Sequence, residues 1–92
     1  MIKSFKNRPT EGFCLGEPVK AFTLVPVQVL ARKLTQLDAA ELLSDLRIPP
    51  GNKLEALKGD RNGQHSIRIN KQWRLCFIWD EGVTEMEITG YH

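Results

Sequence analysis

The residues best suited to chemistry are cations gathered in the second half of the chain. Lys58-Gly59-Asp60-Arg61-Asn62-Gly63 is a glycine-flanked loop holding two of them, and two alternating runs follow at residues 65–70 and 73–79. One face of each run is apolar, with Ile67 and Ile69 in the first and Trp73, Leu75, Phe77 and Trp79 in the second. The other face carries Ser66, Arg68 and Asn70, then Arg74, Cys76 and Ile78. Arg68 and Arg74 thus leave neighbouring strands on the side away from the core. A planar guanidinium can bind two phosphate oxygens at once, so this pair could flank one phosphate. Solvated strand arginines are the plainer reading of the same spacing. The whole is a cationic platform on a packed sheet, suited to an anionic partner.

The elements that must position these cations can be read around them. A Lys71–Gln72 turn between the two runs makes a β-hairpin. Asp80-Glu81-Gly82 makes a second turn, and residues 83–91 alternate Met86 and Ile88 against Glu87 and Thr89 as a last strand. Residues 53–57 read as a further strand, and residues 2–5 as a short one at the start. Thr10 could cap a helical turn through Phe13, Cys14 and Leu15, ended by Gly16 and Pro18. From Pro26, apolar positions recur at Val27, Leu30, Ala31, Leu34 and Leu37, which predicts a helix with Gln28, Arg32, Lys33 and Gln36 pointing away. Asp38-Ala39-Ala40-Glu41 reads as a capping box opening a second short helix, or as the kink of a single one, with Leu42, Leu43 and Leu46 inward and Pro49-Pro50-Gly51 stopping it. The expected fold is α+β, with an N-terminal strand and two or three short helices packed on one face of a mainly antiparallel sheet of four or five strands. Residues 1–92 are read as a single domain.

Composition narrows the function classes. With 41% hydrophobic and 26% charged residues the chain is an ordinary folding sequence, which argues against disorder. The formal net charge of +2 hides an asymmetry: residues 1–46 carry +1, residues 47–74 carry +5 and residues 75–92 carry −4. A positive middle favours nucleic acid or phosphate partners. Cys14 and Cys76 are the two cysteines and lack metal-ligand spacing, so neither a zinc site nor a disulfide scaffold is expected. No carboxylates cluster as two-metal nuclease chemistry requires, and no metal or other cofactor is expected. There is no apolar leader and no run approaching the ~20 residues of a membrane helix, so the default expectation is the cytoplasm. Trp73 and Trp79 share the face of Leu75 and Phe77 and are expected in the core rather than as stacking platforms.

Residues 51–75, GNKLEALKGDRNGQHSIRINKQWRL, resemble the HigB branch of the RelE/ParE toxins. So do the opening Met1-Ile2-Lys3-Ser4-Phe5 and the closing Tyr91-His92, and the likeness covers essentially the whole chain. The resemblance implies a bacterial, cytoplasmic toxin of a type II toxin-antitoxin system, acting as a ribosome-dependent endoribonuclease on messenger RNA in the decoding site. The implied partners are a HigA-like helix-turn-helix antitoxin, the ribosome and messenger RNA. Operator DNA is met only indirectly, through the antitoxin complex, and no membrane is involved. A non-cleaving toxin of the same fold, blocking the ribosome or DNA gyrase by binding, is the alternative within this superfamily.

Carried over position by position, the resemblance implies a functional cluster of Lys58, Arg61, Arg68, Arg74, Tyr91 and His92, with Asp60 and His65 close by. RNA is cut without a metal when its 2′-hydroxyl is deprotonated and attacks the adjacent phosphate. Arg68 and Arg74 would hold the developing negative charge. Tyr91 and His92 would transfer protons, the phenol needing neighbouring cations and the imidazole titrating at about 6.5 when unperturbed. Lys58 would add charge or move a proton. Arg61, Lys53, Lys71 and His65 would hold RNA. Relatives often carry an acidic residue before the final Tyr-His, where this chain has Gly90; Glu87 or Asp60 could stand in for it.

Overall fold

The computed structural model describes residues 1–90; Tyr91 and His92 lie outside the described residues. Four antiparallel strands form one sheet in sequence order: β1 (Glu55–Ala56), β2 (His65–Arg68), β3 (Trp73–Trp79) and β4 (Val83–Gly90). Two helices, α1 (Arg8–Cys14) and α2 (Val27–Ala39), pack against it, which makes the protein a small α+β domain. Short 3-10 turns at Lys20–Phe22, Leu43–Arg47, Pro50–Asn52 and Gly59–Arg61 complete the connections.

The strand alternation decides which face is covered. Ile67, Ile69, Leu75, Phe77, Val83, Met86 and Ile88 join Phe22, Val25, Leu30, Leu37, Ala40 and Leu46 in one buried cluster. Trp73 and Trp79 pack against it as expected, the Trp73 ring meeting Phe22 edge-on at 5.9 Å. A β-bulge maintains the pattern. The β3–β4 register slips by one between Cys76 and Ile78, so Glu85 and Met86 share the space opposite Phe77, and Glu85 takes the left-handed conformation (φ 48°). Without that extra residue, Val83 and Met86 could not both face the core. Both hairpins turn where the sequence places them. Asn70 Oδ1 accepts from the amides of Gln72 and Trp73, each at 2.9 Å, closing the first turn.

Several elements differ from the sequence reading. Residues 2–5 form no continuous strand: Ile2 and Phe5 make isolated parallel bridges to Val83 and Met86 on β4. The N-cap of α1 is Asn7, whose Oδ1 accepts from the Thr10 amide at 2.9 Å. Thr10 instead lies inside the helix, fully buried, and its Oγ1 accepts from the Ile88 amide at 3.2 Å. Asp38 opens no second helix, because α2 runs on through Ala39 and Asp38 Oδ1 accepts from the Ile2 amide. The expected second helix is the 3-10 turn Leu43–Arg47, with Asp45 Oδ2 accepting from the amides of Glu41 and Leu42. A five-residue stretch shortly before two prolines is too short to repay helix nucleation.

On α2, Lys33 and Gln36 point inward rather than away, while Val27 at the start is exposed. Lys33 Nζ donates to Asn52 Oδ1 at 2.6 Å, and Asn52 Nδ2 donates to Gln36 Oε1 and the Leu46 carbonyl at 3.0 and 3.1 Å. Asn52 is fully buried, so these bonds are what make its burial tolerable. The predicted strand at residues 53–57 contracts to Glu55–Ala56, since Pro50–Asn52 turns and Lys53 takes a left-handed conformation (φ 47°).

Candidate functional site

The uncovered face of the sheet is built in cross-strand rows. Arg68 on β2 pairs with Arg74 on β3, which pairs with Thr89 on β4. The next row runs Glu55, Ser66, Cys76 and Glu87 across all four strands. The amide of Ile69 donates to the Trp73 carbonyl at 2.9 Å, which makes residues 69 and 73 a hydrogen-bonded pair. Arg68 and Arg74 are therefore the adjacent non-hydrogen-bonded pair, the kind whose side chains stand closest, with Cα atoms about 4.5 Å apart. Two arginine side chains leave the same face of the hairpin from directly opposed positions.

Each arginine has an anchor among the described residues. Arg68 Nε donates to the Asn70 carbonyl at 3.1 Å, which fixes the guanidinium over the turn. Arg74 Nη1 lies 3.8 Å from Glu55 Oε1, an exposed carboxylate on the edge strand. Like charges opposed across a ladder destabilise a sheet, so this pairing is one that packing alone would not select. Preorganised cations on a firm support are what stabilises charge that develops on a phosphate during its reaction.

Arg61 reaches the same face from the Gly59–Arg61 turn. Its Nη1 donates to Glu87 Oε1 at 2.9 Å and to Gln64 Oε1 at 3.1 Å. Lys6 Nζ approaches the same Glu87 oxygen at 3.6 Å from the N-terminal arm. The bond to Glu87 raises the Arg61 guanidinium above its ordinary range, burial opposes it, and the sulfur of Cys76 and the Glu87 charge add to the rise. Cys76 and Ser66 beneath are fully buried, so the floor of this row is packed.

The remaining predicted residues divide. Lys58 is exposed and opens the turn that carries Arg61, its carbonyl accepting from the Arg61 amide at 3.3 Å. Lys71 is exposed at the tip of the β2–β3 hairpin, and Asp60 is exposed within the 59–61 turn. Lys53 is exposed and follows Asn52, whose side chain is bound to α2. His65 departs most from expectation. It pairs with Phe77 and stacks on that ring at 6.3 Å, on the helix-covered face, where its buried Nδ1 has no hydrogen-bond partner among the described residues. It lines a cavity of about 340 Å³ with Leu43, Arg47 and Leu54, on the opposite side of the sheet from Arg68 and Arg74. Tyr91 and His92 lie outside the described residues. Among the described residues no three His, Cys, Asp or Glu side chains come together as metal ligands.

The sequence reading left Lys6, Glu55 and Thr89 without a role, and the register is what places Glu55 and Thr89 beside the arginines. Gly90 sits opposite Trp73, on the covered face. A side chain at position 90 would start from there, whereas Glu87 already stands in the uncovered face.

Comparison with known proteins agrees with this architecture. Residues 19–92 match a family model described as the RelE-like toxin of the type II toxin-antitoxin system HigB. The chain is 49% identical over 86 residues to Toxin HigB-1 of Vibrio cholerae serotype O1, covering 90% of this chain and 88% of that protein. It is 35% identical over 85 residues to Endoribonuclease HigB of Proteus vulgaris, covering 89% and 88%. An uncharacterized protein of Haemophilus influenzae is 49% identical over 53 residues, 58% of this chain and 52% of its own length.

Proposed function

The chain belongs to the RelE-like HigB toxins of type II toxin-antitoxin systems, and from that membership and the uncovered arginine face we propose that it is an endoribonuclease. Membership brings an antitoxin as partner. The reaction proposed is ribosome-dependent cleavage of messenger RNA in the decoding site, which stops translation and growth. The observation that carries it is the direct cross-strand pairing of Arg68 with Arg74 on the face the helices leave open.

In this reading Arg68 and Arg74 flank the scissile phosphate. A base takes the proton of the 2′-hydroxyl, the O2′–P bond forms, the P–O5′ bond breaks and an acid returns a proton to the leaving 5′-oxygen. The products are a 2′,3′-cyclic phosphate and a 5′-hydroxyl, and the balance needs no co-reactant. Two guanidiniums neutralise the charge that accumulates on the non-bridging oxygens. Tyr91 and His92 are proposed for the proton transfers, with Lys58 adding charge beside them. Arg61 and Lys71 hold RNA backbone on either side. Lys53, outside the strands, and His65, on the helix side, are not carried into this scheme. The ribosome supplies the positioning that a shallow open face lacks.

Primer extension on a messenger RNA in a purified translation system tests the proposal. Wild type, Arg74→Ala and a variant lacking Tyr91-His92 are compared, with and without ribosomes. Cuts at the decoding codon that need ribosomes and vanish in both variants are the expected result. Arrest of translation without cuts would replace it with inhibition by binding.

A further inference from the structure

Glu87 is met by two cations from outside its row, contacts that are unusual for a carboxylate facing a polyanion. It is the partner of Cys76, one row from Arg74, and its side chain keeps only 18% of its exposure. Both Arg61 and Lys6 converge on Oε1, at 2.9 and 3.6 Å. Arg61 comes from a turn and Lys6 from the N-terminal arm, and neither segment belongs to the sheet. Glu87 is thus a point at which side chains from two segments outside the sheet meet on the strand that lies beside Arg74.

A negative charge here lowers the attraction of the face for RNA, so something must offset that loss. Arg61 provides the reason. A guanidinium has five N–H donors, and the bonds to Glu87 and Gln64 both use Nη1. Held from that side, it presents Nη2 and Nε elsewhere. The Glu87 row that it reaches is two residues along the strands from the Arg68–Arg74 row, roughly 7 Å away. At that separation Arg61 meets a different phosphate from the one the arginine pair flanks.

We infer that Glu87 is a positioning residue: by clamping Arg61, with Lys6, it aims that guanidinium at an RNA phosphate neighbouring the scissile one. The inference rests on the ribonuclease reading for the identity of the scissile phosphate. It predicts a sign that simple electrostatics does not. Loss of a negative charge beside a polyanion site should tighten binding, whereas loss of a clamp should weaken it.

The test measures affinity for ribosomes programmed with a messenger RNA whose 2′-oxygen at the cut site is methylated, so that binding is read without cleavage. Wild type, Arg61→Ala, Glu87→Ala, Glu87→Asp and the double Arg61→Ala/Glu87→Ala variant are compared well below their melting temperatures. Glu87→Ala is expected to weaken binding about 5- to 10-fold and to lower the salt slope by about one, as Arg61→Ala does. The double variant is expected to bind no worse than Arg61→Ala, and Glu87→Asp to recover part of the loss. A Glu87→Ala protein that binds more tightly, or a double variant whose losses multiply, would overturn the inference. If wild type binds but an unmethylated message is never cut, the nuclease reading fails while the clamp stands.

Discussion

Arg68 and Arg74 are Cα partners on adjacent antiparallel strands, in a non-hydrogen-bonded pair on the uncovered face of the sheet. Their mutual repulsion is held in place by the Asn70 carbonyl, by Glu55 and by the core beneath. Stability and activity should therefore separate at this pair. Arg74→Ala is expected to cut kcat by about 10²–10³-fold, the usual effect of removing one preorganised charge donor. It gives up the 3.8 Å contact to the exposed Glu55 and relieves a like-charge pair with Arg68, two effects that oppose each other in stability. Arg74→Lys, which keeps the charge and loses the planar fork, should fall between. Thermal melts beside single-turnover cleavage on ribosomes check this, and an activity loss that merely follows a drop in Tm would sink it.

Thr10 joins α1 to β4. Its hydroxyl accepts from the Ile88 amide at 3.2 Å, and the side chain is fully buried. Thr10→Val keeps the shape and removes the acceptor, leaving a buried amide unpaired. The expected cost is about 1–3 kcal/mol. In urea titrations the midpoint should fall with the slope unchanged, which would place the loss in the native state. Thr10→Ser should restore most of it.

Burial pushes the Cys14 thiol up from 9.0 to about 11. The folded protein therefore retains a proton that the unfolded chain releases between pH 9.0 and about 11. The neutral thiol's contribution to stability is full below that window and is lost as pH rises through it. Alkylation by iodoacetamide, followed at Cys14 by mass spectrometry, should show an apparent pKa near 11 in native buffer and near 9.0 in urea. The extra loss of stability above pH 9.0 should disappear in Cys14→Ala. Equal pKa values in the two buffers would contradict this account.

Much of the site was legible in period-two alternation. The same parity that put Ile67 inward put Arg68 outward, and Arg74 followed from Leu75 and Phe77 in the same way. That parity also places His65 with Ile67 on the covered face, so its position opposite Phe77 was already legible in the sequence. Inward turns of Lys33 and Gln36 were not legible. They depend on Asn52, a residue 19 positions from Lys33, meeting α2 across the core. The Asp38 signature failed for a related reason. A carboxylate three residues before Glu41 suits a cap, but the nearby Ile2 amide and the continuity of α2 claimed it. Glu87 shows the limit most clearly. Strand alternation gives its face, while its two cationic partners come from segments 26 and 81 residues away that no local pattern connects.

Gly90 gives the last prediction. Position 90 is in register with Trp73, and a Cβ added there would meet Trp73 Cζ3 at 3.6 Å and the Gln72 carbonyl at 3.7 Å, ordinary contacts. An acidic side chain at this position would thus be accommodated, but it would leave the strand on the Trp73 side. Arg68, Arg74 and Arg61 are on the other. Gly90→Asp is expected to fold with stability equal to wild type or higher by up to about 1 kcal/mol, because glycine in a strand costs chain entropy. Ribosome-dependent cleavage should change less than about twofold, since no carboxylate is added to the arginine face. Single-turnover rates for Gly90→Asp and for Glu87→Ala, taken together, decide the matter. A tenfold gain in the first would mean that a carboxylate at position 90 reaches the reacting groups after all. An unchanged first rate with a reduced second rate identifies Glu87 as the carboxylate on which this face depends.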